Sequence, residues 1–209
     1  MKYLILGSSS SYRQKLLARL GYSFTVIPPN LDEELEKQKL LAQNFTPLQL
    51  AQALAERKAE SVQELINNQT SLNLSGKEGV TYVIGADQLL TIDGKILGKP
   101  LTVTKAVEML KMLQGREHLL ISAVALLKLQ GGIKEVWAEV AHMKMRSLTD
   151  KEIETYVQLD QPLWSAGSYK IESFGIQLFD EIRCADWTAI EGLPLLSLSK
   201  KLRQSGDSG

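Results

Sequence analysis

The sequence predicts an α/β fold in which a mixed β-sheet carries helices on its faces. One observation is a strand–helix–strand pattern over 3–29, where two apolar runs flank a helix-forming segment. A second is the dipeptide Asp93-Gly94 between apolar runs, which is typical of a tight hairpin. A third is the return of helical spacing after Thr149. An order that mixes helical crossovers with hairpins favours a mixed sheet.

The first elements alternate between strand and helix. The short apolar run 3–7 predicts a buried strand, and 11–20 predicts a helix that Gly21 ends. The alternating stretch 23–29 stops at two prolines and predicts a second strand. We expect the acidic stretch 30–40 to be a loop or an irregular turn.

A long helix follows, with Thr46 placed to cap it and Pro47 to occupy its first position. Lys58 interrupts the apolar stripe of this helix, which consists of Leu50, Leu54, Val62 and Leu65. Residues 67–80 are rich in Asn, Ser and Gly, and they predict a surface loop.

The rest of the chain returns to strands and helices. Thr102 or Thr104 is placed to cap a helix that Gly115 ends, and Thr149 with Glu152 forms a capping box. Strands are predicted within 81–102, around the hairpin turn, and over 118–129, 133–146 and 174–182. A last helix is predicted over 194–204, before a frayed tail at 205–209.

Composition bounds the possible functions. The 209 residues carry 24 basic and 24 acidic side chains, and this balance argues against a nucleic-acid or membrane partner, because either usually needs a basic face. We expect one domain over 1–209, with two lobes around a cleft. The apolar run at the start is too short for a signal peptide or a membrane span, so we expect a cytoplasmic protein.

The residue types also bound the metal chemistry. Cys184 is the single cysteine, which suits a reducing compartment, and with only His118 and His142 beside it a zinc site is disfavoured. We interpret both histidines as structural or surface residues and Cys184 as a neutral thiol. A metal, where one is used, is expected to be a hard cation held by carboxylates.

Four serines and an arginine stand where the first strand meets the first helix. Free backbone N–H groups and the positive end of the helix dipole make such a junction a phosphate site, to which Ser8, Ser10 and Arg13 add donors. The alternative is a serine cap with an exposed arginine. The loop lacks the glycines of a dinucleotide fingerprint or a P-loop.

Charged residues inside apolar patterns are the next candidates. Asp87 lies in an apolar strand, where a carboxylate is costly unless it is paired or bound to a metal, and we favour a functional role over a solvated strand end. Lys58 either snorkels to the edge of its helix or points into a cleft. Lys99 is expected to be exposed, unless the hairpin brings it near Asp87.

Two further stretches are weaker candidates. Asp32 and Glu33 belong to an acidic run, and either can join Asp87 as a metal ligand or remain solvated. In the stretch 166–175, small residues flank Lys170 and Glu172, as if a ligand passed close to the backbone.

These motifs together resemble the Maf family of nucleoside triphosphate pyrophosphatases. The resemblance spans Leu4 to about Leu202 and rests on the order and spacing of "SSSSYR", "DE" at 32–33, "LAERKA", "IGADQ", "GKPLT", "LQGREH", "AGSYKIESFG" and "GLPL". It implies hydrolysis of a nucleoside triphosphate to a monophosphate and diphosphate with a divalent metal. It also implies an elongated mixed sheet split by a deep cleft, similar to that of inosine triphosphate pyrophosphatases.

The resemblance implies a role for each candidate. Asp87 would be the proton acceptor or hold the metal, and Glu33 would be a metal ligand or a second base. The triphosphate would be held by Ser8, Ser10, Arg13, Lys58 and Lys99. Magnesium or manganese suits a site made of carboxylates and phosphates.

Three positions bear on the substrate. The family branch that acts on dTTP and UTP tends to carry Arg, Thr and Gln where this sequence has Tyr12, Gln88 and Glu172, and the sequence instead resembles the 7-methyl-GTP branch. The positive charge of N7-methylguanine favours an aromatic face and a carboxylate, in agreement with Tyr12 and Glu172.

The sequence departs from the family in three places. Gln14 replaces a common arginine, 67–80 resembles an insertion, and the approach to Gly192 over 185–191 is unusual. We predict a 7-methyl-GTP pyrophosphatase that clears non-standard nucleotides. The alternatives are a dTTP or UTP pyrophosphatase and a nucleotide-binding regulator of septum formation without turnover. The sequence leaves a homodimer open.

Overall fold

A seven-stranded sheet organises the computed structural model, which describes residues 2–68, 80–132 and 134–205. The strands are Lys2–Gly7 (β1), Phe24–Val26 (β2), Val80–Ile92 (β3), Lys95–Leu97 (β4), Glu117–Lys128 (β5), Lys134–Met145 (β6) and Phe179–Arg183 (β7). The helices are Ser11–Ala18 (α1), Glu33–Ala42 (α2), Pro47–Asn68 (α3), Val103–Leu113 (α4), Asp150–Asp160 (α5), Trp187–Ile190 (α6) and Leu195–Gln204 (α7). Short 3₁₀ segments occupy Ala166–Ser168 and Phe174–Leu178.

The sheet is mixed, as the sequence predicts. Its strand order is β2-β1-β3-β5-β6-β7, and β4 also pairs with β3. The pairs β1–β2 and β1–β3 are parallel, whereas the other pairs are antiparallel. The parallel part comes from the strand–helix–strand unit at the amino terminus, and the antiparallel part comes from the hairpins.

The apolar core has separate parts along the long strands, which gives the two lobes. At one end, α3 covers one face of β1 and the first half of β3, while α1 and α7 cover the opposite face. At the other end, α4 and α5 pack on the second half of β3 and on β6. The elongated mixed sheet with two lobes is confirmed.

Helix α3 lies unusually close to the sheet, because the strands beneath it present glycine. Gly7 and Gly85 are paired across β1 and β3. A Cβ atom on Gly85 would lie 2.1 Å from the carbonyl oxygen of Ala55, and one on Gly7 would lie 3.1 Å from Cγ2 of Val62. This contact sets the distance between α3 and the strand that carries Asp87.

The prediction that 30–40 is a loop is wrong. Residues from Glu33 onward form α2, and the carboxylate of Asp32 caps it by accepting from the N–H of Leu35 at 3.0 Å. The acidic residues of the first turn also interact favourably with the positive end of the helix. The "DE" pair is therefore a cap followed by the first helical residue.

The strand predicted over 174–182 is only half correct, because the backbone of 174–178 forms a 3₁₀ segment and pairing with β6 starts at Phe179. The N–H of Gly175 donates to the carbonyl of Lys170 at 2.9 Å, which turns the chain away from the sheet. The caps at Thr102 and Thr149 are confirmed, and Thr46 accepts from the N–H of Gln49 at 3.3 Å.

Two predictions fall largely outside the described residues. Of the loop predicted over 67–80, only its ends are described: 67–68 belong to α3 and Val80 begins β3. Of the predicted tail, Ser205 is described, and its hydroxyl donates to the carbonyl of Lys201 at 2.8 Å. None of the helices in the described ranges combines the length and apolarity needed to span a lipid bilayer.

The contact between α3 and the sheet gives a stability test. Because an added methyl group at position 85 would meet helix backbone, Gly85→Ala is expected to lower the free energy of unfolding by at least about 2 kcal/mol. Urea denaturation followed by circular dichroism measures this difference. Gly98→Ala is the matched control, since its Cβ would meet nothing within 4 Å, and it should change stability by less than about 0.5 kcal/mol. Equal losses in the two variants would contradict the packing described here.

Candidate active site

A gap in the pairing of β3 opens the main cavity. On one edge of β3, β1 pairs with 80–85 and β4 pairs with 90–92, whereas β5 covers the opposite edge from 82 to 91. Within the described residues, no strand pairs with 86–89 on the first edge. A cavity of about 950 Å³ lies there, between the two lobes, and this volume suits a nucleotide-sized ligand.

The ten side chains to which the sequence analysis finally gave a catalytic, metal-binding, phosphate-binding or specificity role all line this one cavity. They come from six separate parts of the chain: Ser8, Ser10, Tyr12, Arg13, Glu33, Lys58, Asp87, Gln88, Lys99 and Glu172. Local patterns pointed to most of them and the family resemblance to Tyr12 and Gln88, and the fold brings them together.

Lys58 joins two carboxylates in the middle of the cavity. Its Nζ lies 2.7 Å from Oδ1 of Asp87 and 2.9 Å from Oε2 of Glu33. Lys58 is 4% exposed and Asp87 is 6% exposed, so the lysine does not snorkel to a helix edge. A buried ion pair of this kind is held by mutual neutralisation, and removal of either partner leaves an uncompensated charge.

Asp87 has a second carboxylate oxygen that is not used by the protein. Oδ2 is buried and has no hydrogen-bond partner among the described residues. Buried polar atoms are nearly always satisfied, and an exception often marks a place where a water, an ion or a substrate binds. The arrangement therefore offers one oxygen oriented by Lys58 and one available acceptor.

The surrounding cations lower the pKa of Glu33. Burial raises the pKa of its carboxyl, but Lys58, Lys99 and Arg13 lower it more, and the net shift is downward. Glu33 is therefore ionised at neutral pH. We call Arg13, Glu33, Lys58, Asp87 and Lys99 the Lys58 cluster.

The serine loop caps α1, and its arginine is half-buried rather than exposed. Ser10 caps α1 by accepting from the N–H of Arg13 at 3.4 Å. Ser8 is buried, and its Oγ accepts from the N–H of Ser10 at 3.2 Å and from the guanidinium of Arg13 at 3.3 Å. The loop thus presents its hydroxyls and the start of α1 to the cavity.

The guanidinium of Arg13 also fixes the far wall of the cavity. Its Nε donates to the carbonyl of Gly192 at 3.0 Å. Gln88 points to the opposite face of β3 from Asp87, and its Nε2 donates to the carbonyls of Ala189 and Ile190, both at 3.1 Å. Since the amide nitrogen of Gln88 is engaged by the protein, a ligand can reach only its carbonyl oxygen.

Tyr12 and Glu172 lie together at the other end of the cavity. Burial and the nearby Glu172 carboxylate raise the pKa of the Tyr12 hydroxyl. Burial also raises the pKa of Glu172, and the negative charge of Glu191 adds to this effect. We call Tyr12, Glu172 and Glu191 the Glu172 cluster.

Sequence reasoning missed charged and aromatic lining residues, of which Lys37 and Trp164 are examples. Lys37 lies one helical turn after Glu33, so recognition of the Asp32 cap would have placed it beside the site. Trp164 is 72% exposed at the rim, and an isolated loop tryptophan gave no periodic signal. Lys170 was noted only within its motif, and Glu191 only as part of an unusual stretch.

Gly167 and Gly175 do not make room for a ligand, so the interpretation of 166–175 is wrong for these two glycines, although Ala166 lines the cavity. A Cβ on Gly167 would lie 2.2 Å from Leu90, and one on Gly175 would lie 2.4 Å from the carbonyl oxygen of Lys170. These glycines allow protein atoms to pack closely, and Glu172 reaches the cavity because the chain turns tightly around them.

The histidines and the cysteine lie outside the cavity. His118 is buried and contacts the hydroxyl of Tyr169 at 3.0 Å, and burial lowers its pKa to about 4. His142 is at the surface beside Glu117. Burial raises the pKa of the Cys184 thiol, which is therefore neutral. Their interpretation as structural, surface and neutral groups is confirmed.

A cavity that combines guanidinium, ammonium and hydroxyl donors with carboxylates and an aromatic ring has the composition that suits a phosphorylated small molecule. The family model described as Maf-like protein matches residues 3–205. The chain belongs to the Maf-like family.

Similar proteins agree with this assignment. A 7-methyl-GTP pyrophosphatase of Bdellovibrio bacteriovorus is 44% identical, over 98% of this chain and 97% of that protein. One of Burkholderia lata is 40% identical, over 96% of this chain and 88% of that protein. Among solved structures, a nucleoside-triphosphatase (dITP/XTP pyrophosphatase) of Mycobacterium abscessus is 12% identical with a TM-score of 0.36, over 71% of this chain and 76% of that chain. That likeness is too distant to bear on function.

The buried ion pair gives a second test. Lys58→Met is expected to lower the free energy of unfolding at pH 7 by about 3–5 kcal/mol, because it leaves Asp87 buried without a counter-charge. The pKa of Glu33 is lowered in the folded state. Such a carboxyl stabilises the fold at a pH above its ordinary pKa, and this stabilisation is lost as the pH falls through the lowered pKa. The cost of the substitution should therefore shrink in acid.

The matched control is Lys39→Met, which breaks an exposed ion pair with Glu36. It should cost less than about 1 kcal/mol at either pH. Urea unfolding at pH 7 and pH 4 measures both variants. A small, pH-independent loss for Lys58→Met would mean that the pair contributes nothing beyond a surface contact.

Proposed function

We propose that the chain is a nucleoside triphosphate pyrophosphatase that hydrolyses 7-methyl-GTP to 7-methyl-GMP and diphosphate. The observation that carries this proposal is the division of one cavity into the Lys58 cluster and the Glu172 cluster. A triphosphate needs several cations around it, whereas a positively charged nucleobase needs carboxylates. The names of the similar proteins support the same substrate.

The Lys58 cluster and the serine loop supply the groups that a triphosphate needs. Arg13 can form paired bonds to phosphate oxygens, while Lys58 and Lys99 act as point charges. The hydroxyls of Ser8 and Ser10 and the N-terminus of α1 add neutral donors. Because phosphoryl transfer depends mainly on positioning and charge neutralisation, this set accounts for most of the catalytic requirement.

Asp87 is the proposed general base. A water that donates to its free Oδ2 attacks the α-phosphorus, and the proton passes to the carboxylate. The bond between the α-phosphorus and the bridging oxygen breaks, and diphosphate leaves with the bond electrons. Lys58 holds Oδ1 and thereby orients the carboxylate toward this water.

The proposal includes a magnesium or manganese ion. The donors fit, since Glu33 and Asp87 share one ammonium and Asp87 keeps a buried oxygen without a partner. In the described residues no group of three or more His, Cys, Asp or Glu is arranged to hold a metal, so the substrate phosphates would complete the ligands. When bound, the ion would neutralise phosphate charge.

The Glu172 cluster explains the choice of base. The ring of Tyr12 can stack on a cationic purine, and the carboxylate of Glu172 can accept from N1–H and the exocyclic amine. Gln88 adds a carbonyl oxygen, because its nitrogen is engaged. Trp164 supplies a second aromatic surface at the rim. The cellular role that follows is removal of a non-standard nucleotide from the cytoplasm.

The first functional prediction concerns Asp87 as the general base. Asp87→Asn keeps the shape of the side chain but removes its proton acceptor, and it should lower the rate of diphosphate release by at least about 100-fold. Release is measured at saturating 7-methyl-GTP, with and without Mg²⁺ or Mn²⁺. Asp93→Asn, in the exposed hairpin turn, is the control and should keep the wild-type rate.

Three outcomes of this assay are informative. A fully active Asp87→Asn variant would make the base assignment wrong. Wild-type protein that releases diphosphate from no triphosphate, even with metal, would favour the regulator without turnover. Full activity in the presence of a strong chelator would remove the metal from the proposal.

The second functional prediction concerns the substrate. Wild-type kcat/KM should be higher for 7-methyl-GTP than for dTTP or UTP, because the Glu172 cluster lacks the arginine and the glutamine expected of the pyrimidine branch. Steady-state kinetics on all three nucleotides decide between the two substrates. A clear preference for dTTP would overturn the roles given to Tyr12 and Glu172 while leaving the pyrophosphatase chemistry intact.

A further inference from the structure

Glu191 occupies an unusually well-fixed position in the cavity wall. It follows α6 and lines the cavity together with Tyr12 and Glu172. The carbonyl of the preceding residue accepts from Gln88 at 3.1 Å, and the carbonyl of the following residue accepts from Arg13 at 3.0 Å. Two side chains of the site therefore hold the backbone on both sides of this carboxylate.

The charges around Glu172 are not balanced. Asp160 also acts on Glu172, but it accepts from the hydroxyl of Tyr156 at 2.7 Å, and its Oδ1 lies 4.0 Å from the ammonium of Lys170. The carboxylate of Asp160 thus has a hydrogen-bond donor on one oxygen and an ammonium near the other.

Glu191 has no such ion pair among the described residues, and its charge adds to that of Glu172. On the other side, the ammonium of Lys15 lies 5.9 Å from the ring centre of Tyr12, but Lys15 does not line the cavity. The Glu172 cluster therefore holds two carboxylates, and the lysine that lines the cavity beside it, Lys170, is directed to the carbonyl and carboxylate of Asp160.

We propose that Glu191 is a specificity-determining residue that makes this end of the cavity prefer a positively charged nucleobase over a neutral one of the same shape. Glu172 can accept the same two hydrogen bonds from guanine and from N7-methylguanine, and its negative charge already favours the methylated base. The two bases differ in charge, and a second carboxylate responds to charge without a direct hydrogen bond. This inference rests on the proposed function, because it concerns the base of the same substrate.

Equilibrium binding tests the inference without turnover. Isothermal titration of wild-type protein with 7-methyl-GMP and with GMP should show tighter binding of the methylated nucleotide. In Glu191→Gln, affinity for 7-methyl-GMP should fall about five- to tenfold, whereas affinity for GMP should stay unchanged. Glu154→Gln, an identical change on the exposed face of α5, is the control and should alter neither affinity.

Each outcome of the titration either supports or overturns the role of Glu191. An equal loss for both nucleotides would assign Glu191 a structural role, and an unchanged 7-methyl-GMP affinity would remove it from recognition; either result overturns the inference. Wild-type protein without a preference for 7-methyl-GMP overturns it as well.

The kinetic assay is separate from this titration. If diphosphate release fails but the charge preference depends on Glu191, the enzyme proposal falls and the inference stands. If diphosphate is released and the charge preference does not depend on Glu191, the enzyme proposal stands and the inference falls.

Discussion

The close contact of α3 with the glycine pair of the sheet is the constraint on which the site depends. Gly85 admits the backbone of α3 at a distance that no side chain would allow. Lys58 lies on the same helical face as Ala55 and Ala59, which meet that glycine, and Asp87 lies two residues further along the same face of β3. The helix can therefore deliver an ammonium directly to a buried carboxylate. A buried lysine and a buried aspartate are each costly alone, so packing and pairing stabilise each other.

The cavity itself follows from unequal strand lengths. β1 ends where Gly7 pairs with Gly85, whereas β3 continues for seven more residues. The serine loop therefore leaves the sheet beside the part of β3 that carries Asp87 and Gln88. Successive side chains of a strand point to opposite faces, so these neighbours reach different walls. Asp87 meets α3 and Gln88 meets α6, so a stretch of β3 that is unpaired on one edge contributes to two walls of the cavity.

The parts of the fold that the sequence predicted are those set by local chemistry. The hairpin at Asp93, the cap at Thr149 and the long α3 each depend on a few neighbouring residues. α2 was missed because its charged surface hides any apolar stripe, although Asp32 carried the capping signal. The direction of Lys58 stayed open, since helical spacing places a residue on a face but does not say what lies opposite. Glu191 had no local signal at all, because only the folded chain brings it to Glu172.

Overall neutrality concealed how charges are arranged in the cavity. Equal numbers of acidic and basic residues argue against a broad basic face, yet they say nothing about where the charges lie. The two ends are also mechanically connected. Arg13 belongs to the Lys58 cluster, and its bond to Gly192 fixes the chain immediately after Glu191, while Gln88 fixes the chain immediately before it. Residues of both walls therefore act on the same short segment, 189–192, which Arg13 holds at one end and Gln88 at the other.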